Sequence, residues 1–296
     1  MRRLARYTLL LYPLAFRRRY GDEMCALLER TRVRPMTLLD LVRGALVAHY
    51  RAPAALAGLV DGADRMRASA SGVLACWVVF AAAGFGFYKT TEDAPFTTAA
   101  HAHPLLGVAH VSVQALSVVG SVAVLAGALP LILPALKQAR RDPGLRLRVS
   151  LPVIAALVFV GLTGLLVVAA HSEHGHRPST AGGLWFIAWG LAGLGCAAVC
   201  VLAARASLFA MAVSRGSLVW ALACGRLVAA AMVGMALATV LYTVALNVDA
   251  SHLAGSPNGP LQATSVGASL LVQGVVMVLA AALATGTTRR GRRAAG

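Results

Sequence analysis

Seven of the eight histidines fall in three short stretches of this 296-residue chain. HAHPLLGVAH carries His101, His103 and His110; HSEHGH carries His171, His174 and His176; DASH carries His252. Glu92, Asp93, Glu173 and Asp249 stand near them. Imidazole with carboxylate is a donor set that suits Zn²⁺ or Cu²⁺. The same rings change charge near about pH 6.5 and could read acidity. The spacing H-x-x-H-x-H in a loop is not the H-E-x-x-H of a helical zinc site. The seven histidines are therefore metal-ligand candidates by residue type, and no cofactor is predicted from a motif. A plainer reading stands beside this one. Short loops outside a membrane stay polar without cationic charge by using His, Ser, Thr, Gly and Asn. His110 differs from the rest because it lies a turn inside an apolar stretch. An ionisable group there needs a partner or an interfacial capping role.

Three further polar residues sit in apolar surroundings: Gln114, Arg226 and Gln273. A buried amide in lipid seeks an interhelical hydrogen bond, as structural glue or as part of a substrate path. Arg226 is read as snorkelling to the headgroups. Cys196 and Cys200, four apart, share a helix face. They suit packing or a soft metal. The five cysteines form no disulfide framework on this reading.

The elements that carry these residues follow from composition. Charged residues are 13% and hydrophobic residues 58%, with mean hydropathy +0.73. A water-soluble globule needs more charge to cover its surface. Crossing the hydrocarbon takes about 20 apolar residues as helix. Six stretches qualify: Gly72–Tyr88, Leu105–Ala135, Leu151–Ala170, Gly183–Ala204, Leu227–Leu246 and Thr264–Thr285. The fold class is thus an all-α, polytopic membrane protein with six transmembrane helices behind a small cytosolic helical module. Pro130 and Pro134 are expected to kink or end the second span. Residues 206–225 are expected to form an interfacial helix and the entry to the fifth span. Gly161, Gly164, Gly190 and Gly193 are expected to pack helices closely. The domain boundaries read as a module over 1–52, a linker over 53–70, the membrane domain over 71–286 and a basic tail over 287–296.

Basic residues orient the spans. Loop 136–150 holds Lys137, Arg140, Arg141, Arg146 and Arg148; loop 205–217 holds Arg205 and Arg215; the tail holds Arg289, Arg290, Arg292 and Arg293. The alternate loops hold only Lys89 and Arg177. Both termini are therefore expected in the cytoplasm, and the membrane is the cell membrane. The apolar run over residues 8–16 is broken by Pro13 and followed by three arginines, so no cleavable signal is expected.

The first 50 residues read as short amphipathic helices. Phe16, Tyr20, Met24, Leu27 and Leu28 form one apolar stripe. Thr37-x-x-Asp40 reads as a capping box opening a helix to about Tyr50. These helices pack on each other or lie on the inner leaflet, where the arginines meet anionic headgroups. The strings LYPLAFRRRYGDEM and LLDLVRGALVAHYR resemble an N-terminal region of uncharacterised actinobacterial multi-pass membrane proteins. A similar segment precedes some ABC-transporter-type permease domains. The likeness covers residues 7–51 and brings no catalytic residue with it. It implies a permease-like or accessory component of a transport system, with a cytosolic ATPase as partner.

Two other functions fit the residues. One is a membrane-anchored sensor or regulatory protein with His-rich outer loops and a cytosolic regulatory partner. The other is a membrane enzyme that binds metal or haem. The lipid bilayer is the partner common to all three. Nucleic acid is not expected, because the basic residues lie in short runs between apolar stretches and no helix-turn-helix spacing is present. No phosphate-binding G-x-x-x-x-G-K-[ST] loop, Rossmann glycine pattern or G-x-S-x-G elbow occurs. No span contains a carboxylate, which argues against a proton-driven transporter built on Asp or Glu relays.

Overall fold

The computed structural model describes residues 9, 14–30, 36, 37, 40, 41, 44, 62–172, 180–258 and 264–295. The chain divides into two units, Met1–Asp61 and Gly62–Gly296. In the first unit α1 spans Leu14–Arg30. Tyr20 and Met24 are half-buried and Leu28 is buried. Leu27, expected in the same stripe, is 62% exposed. The buried side centres on Leu28, and one residue is 100° of helix. Pro13 and most of the helix expected after Thr37 lie outside the described residues.

The second unit holds six helices long and apolar enough to cross a membrane. They are α2 (Gly62–Thr91), α4 (Pro104–Ala139), α5 (Pro143–Ser172), α6 (Thr180–Ala210), α7 (Arg215–Asp249) and α9 (Val266–Ala295). The short α3 (Ala94–Ala102) and α8 (Ser251–Ala254) lie in the connections. Two-residue strands β1 (Pro257–Asn258) and β2 (Thr264–Ser265) pair antiparallel before α9. The chain is an all-α polytopic membrane protein.

The helices outrun the expected spans. Residues 62–70, read as linker, are the first turns of α2. Residues 287–295, read as tail, finish α9. The fifth span is one helix from Arg215, because Ser214 caps it by accepting from the Ser217 N–H at 3.1 Å. Residues 206–225, expected as an interfacial helix and the entry to the span, instead divide: 206–210 finish α6, 211–214 form a turn and 215–225 begin α7. Pro130 and Pro134 do not end α4, which runs on to Ala139. Proline removes one backbone donor and frees the carbonyl four residues earlier. For Pro130 that carbonyl is Ala126 O, and the Trp220 indole N–H of α7 donates to it at 3.0 Å. A neighbouring helix thus supplies what the proline withholds.

Helices α2, α4, α7 and α9 form the core. Its middle holds Phe80, Val228, Met232, Met235 and Met277. Its far end holds Phe87, Leu106, Val113, Tyr242, Leu246 and Leu270. Helices α5 and α6 pair as a hairpin beside it, touching α4 and α2. Trp189 of α6 fastens this hairpin. Its ring stacks on Phe159 of α5 at 5.3 Å and meets Phe85 of α2 at 6.0 Å. Its N–H donates to Thr163 Oγ1 at 2.9 Å. Every described Lys and Arg of this unit except Lys89 and Arg226 lies at one face of the bundle. That face is called the basic face below.

Candidate functional site

The face opposite the basic one receives the described histidines, His101, His103, His110, His171 and His252. His101 is exposed on α3, and His252 is exposed on α8. His103 joins α3 to α4. Its extended backbone (φ −118°, ψ 109°) is the conformation favoured before proline, here Pro104. Its N–H closes α3 on Ala99 O at 2.9 Å, and its carbonyl accepts from Gly107 at 3.1 Å. His103 is thus explained by chain geometry. His171 lies in the last turn of α5. His174 and His176 lie outside the described residues. Among the described residues, no three His, Cys, Asp or Glu side chains gather as a metal site would need.

Among the histidines whose side chains are described, His110 turns into the core. It sits between Phe87 (ring centroids 6.2 Å) and Tyr242 (6.1 Å), which meet edge-on at 5.2 Å. Gln114, one turn along α4, places Nε2 at 3.0 Å from His110 Nε2. With the amide as donor, the ring nitrogen accepts, so the imidazole is neutral and carries its proton on Nδ1. Gln114 was expected to bridge helices; it stays within its own. The i, i+4 spacing lets the two side chains meet without crossing to a neighbour.

Gln273 of α9 does reach across. Its Nε2 donates to Thr90 Oγ1 of α2 at 3.4 Å, and that hydroxyl donates to Gly86 O at 2.9 Å. A Cβ on Gly86 would stand 3.0 Å from the amide nitrogen, so the glycine makes room for the bridge. Gln273 Oε1 is buried and has no hydrogen-bond partner among the described residues.

On the other side of α9, Thr239, Thr243 and Asn247 climb α7 at four-residue intervals. Thr243 Oγ1 donates to Thr239 O at 2.8 Å, and Asn247 Nδ2 donates to Thr243 O at 2.7 Å. These bonds satisfy the polar groups along their own helix. At the top of the ladder a cavity of about 370 Å³ is lined by Thr243, Asn247, Ser251, Ser265, Gly267 and Leu271, among others. Among the described residues no charged side chain lines it, and it offers hydrogen bonds to water or a small uncharged molecule. Arg226 belongs to none of this. It is exposed on the side of α7, eleven residues from the helix start.

The basic face holds a feature that sequence reasoning missed. Gln138, at the end of α4, clamps the turn between α6 and α7. Its Nε2 donates to Ala212 O at 3.2 Å, and Ala212 N–H donates to its Oε1 at 3.3 Å. Arg67 of α2 adds a bond to Met211 O at 3.2 Å while paired to Asp64 at 2.7 Å. Beneath lie Ala135, Ala139, Leu145, Leu208 and Met211 as one apolar cluster. The two turns are therefore one body. No periodicity signals a side chain that binds a distant backbone. Trp220 was also missed, although Pro130 signals the free carbonyl it fills.

Fold and sites together define a multi-pass helical membrane protein. Compared with known proteins, the chain matches no family model, no curated sequence and no solved structure.

Proposed function

We propose that this protein sits in the cell membrane with both termini in the cytoplasm, as a permease-like or accessory component of a transport system that receives a cytosolic ATPase on its basic face. The orientation follows from the arginines, which are retained on the cytoplasmic side during insertion. The observation that carries the docking reading is the clamp between Gln138 and Ala212. It makes turns 136–150 and 205–217 one platform that an ATPase could press on as a unit. Motion imposed there would pass into α4 and α7, the helices that hold His110 and the Thr239–Asn247 ladder. The likeness of residues 7–51 to permease prefixes points the same way.

A reporter fused after Gly296 should read as cytoplasmic. A tagged chain purified in mild detergent should retain an ATPase, which Gln138→Ala should release. A tail reporter that reads outside the cell, or a preparation with no ATPase, overturns the proposal.

A further inference from the structure

The turn between α4 and α5 carries Lys137, Arg140, Arg141, Arg146 and Arg148, all exposed. It is held rigidly. Arg141 and Asp142 N–H both donate to Gln138 O at 3.0 Å. Leu145, 2% exposed, anchors it in the apolar cluster below. The one carboxylate within the turn is already in use, because Asp142 Oδ1 accepts from Gly144 N–H at 2.8 Å. Among the described residues none of the five cations has an ion-pair partner. Between Arg146 and Arg148 stands Leu147, 62% exposed. Leu133 and Leu136, also exposed, continue the apolar surface up α4.

Cations alone would suit any polyanion. Cations interleaved with bare leucines suit an occupant that is anionic at one end and hydrocarbon at the other. The geometry points to a binding site for anionic phospholipid at this turn, with headgroup phosphate on the arginines and acyl chain against Leu147 and Leu136. Guanidinium matches phosphate oxygens in a fork of two hydrogen bonds. An acidic peptide or RNA would leave Leu147 facing water. The site uses the exposed side chains of this turn rather than the Gln138 clamp, and it stands independently of any ATPase.

The test uses the full chain, delipidated in a neutral detergent. Phosphatidylglycerol and phosphatidylcholine are titrated, and retained lipid is counted by native mass spectrometry. A basic residue near an anionic surface is worth about fivefold in binding. Wild type should hold phosphatidylglycerol on the order of a hundredfold more tightly than phosphatidylcholine. Replacing all four arginines (Arg140→Gln, Arg141→Gln, Arg146→Gln, Arg148→Gln) should erase the preference. Should that variant not fold, wild type decides alone: raising salt from about 0.1 to about 1 M shortens the screening length from about 10 to about 3 Å, and the preference should collapse. Equal retention of the two lipids, a preference that survives the variant or the salt, or displacement by inorganic phosphate at equal concentration overturns the proposal.

Discussion

The four-helix core and the α5–α6 hairpin are equally apolar in sequence, yet they are built differently. Half of the most apolar stretch of α7 is buried inside the protein, against 6% for α5 and for α6. In lipid there is no hydrophobic gain in pressing one apolar helix on another; close packing and polar bonds do that work. The core has them. A methyl on Gly127 would lie 2.9 Å from Cys224 Cβ, and one on Gly234 would lie 2.8 Å from Leu116. Gly120 receives the edge of the Trp77 ring in the same way. The hairpin has mostly open glycines. Gly161, Gly164, Gly190 and Gly195 have nothing within 4 Å, while Gly193 packs against Phe159. Hydropathy places a helix in the membrane, but the small residues and their partners decide which helices form the core.

The largest effect expected from this contrast is steric. Gly120→Leu should destabilise the bundle by about 3 kcal/mol through overpacking against Trp77. Gly161→Leu, on the hairpin, should stay within about 0.5 kcal/mol of wild type. Unfolding in mixed micelles with rising sodium dodecyl sulfate measures both, and equal losses would erase the distinction between the regions. A smaller effect is expected at the joint between them. Trp189→Leu removes one hydrogen bond and three ring contacts, to Phe85, Phe159 and Phe186, costing about 1–2 kcal/mol. Hydrogen exchange should accelerate in α5 and α6 and stay unchanged in α7; acceleration throughout would mean that the hairpin is part of the core. The smallest is a single bond within the core. Trp220→Phe leaves Ala126 O without its donor, at about 1 kcal/mol. Pro130→Ala restores a helical N–H for the same carbonyl. The double-mutant cycle should therefore show Trp220→Phe to be nearly neutral in the Pro130→Ala background. A full-sized loss there would assign the effect of Trp220 to packing alone.

Much of this architecture is legible in the residues. Six runs of lipid-compatible length mark six helices, and the described arginines of this unit other than Arg226 fall at one face. The helix ends were harder to place. Hydropathy fades at Arg226, but Ser214 caps the helix twelve residues earlier, and a cap is a local hydrogen bond that an apolarity window does not register. Residues 62–70 read as linker for a similar reason: Asp64, Arg65 and Arg67 are polar, although Met66 and Ser69 are buried. Pairing between helices was not legible at all. A helix that is apolar all round has no preferred face, so Gly161 and Gly120 look alike until their neighbours are known. Of the polar residues, Gln273 bridges helices as an amide in lipid should. Gln114 does not, because His110 lies within reach one turn away. The histidines were grouped by nearness in sequence, but among those whose side chains are described it is His110 that packs in the core, set by Phe87 and Tyr242.

The first and last spanning helices are joined as tightly as any pair. Ser69 donates its hydroxyl proton to Thr287 O at 2.5 Å, and Gly72 and Gly291 sit in the same crossing. The strand of chain between them is most of the protein, so a ribosome adding about 5–20 residues per second leaves α2 waiting in the bilayer for some tens of seconds before its partner emerges. During that interval Ser69 has no α9 beside it, and whatever shelters the newborn helix, whether insertion machinery or the lipids themselves, becomes part of how this protein is made.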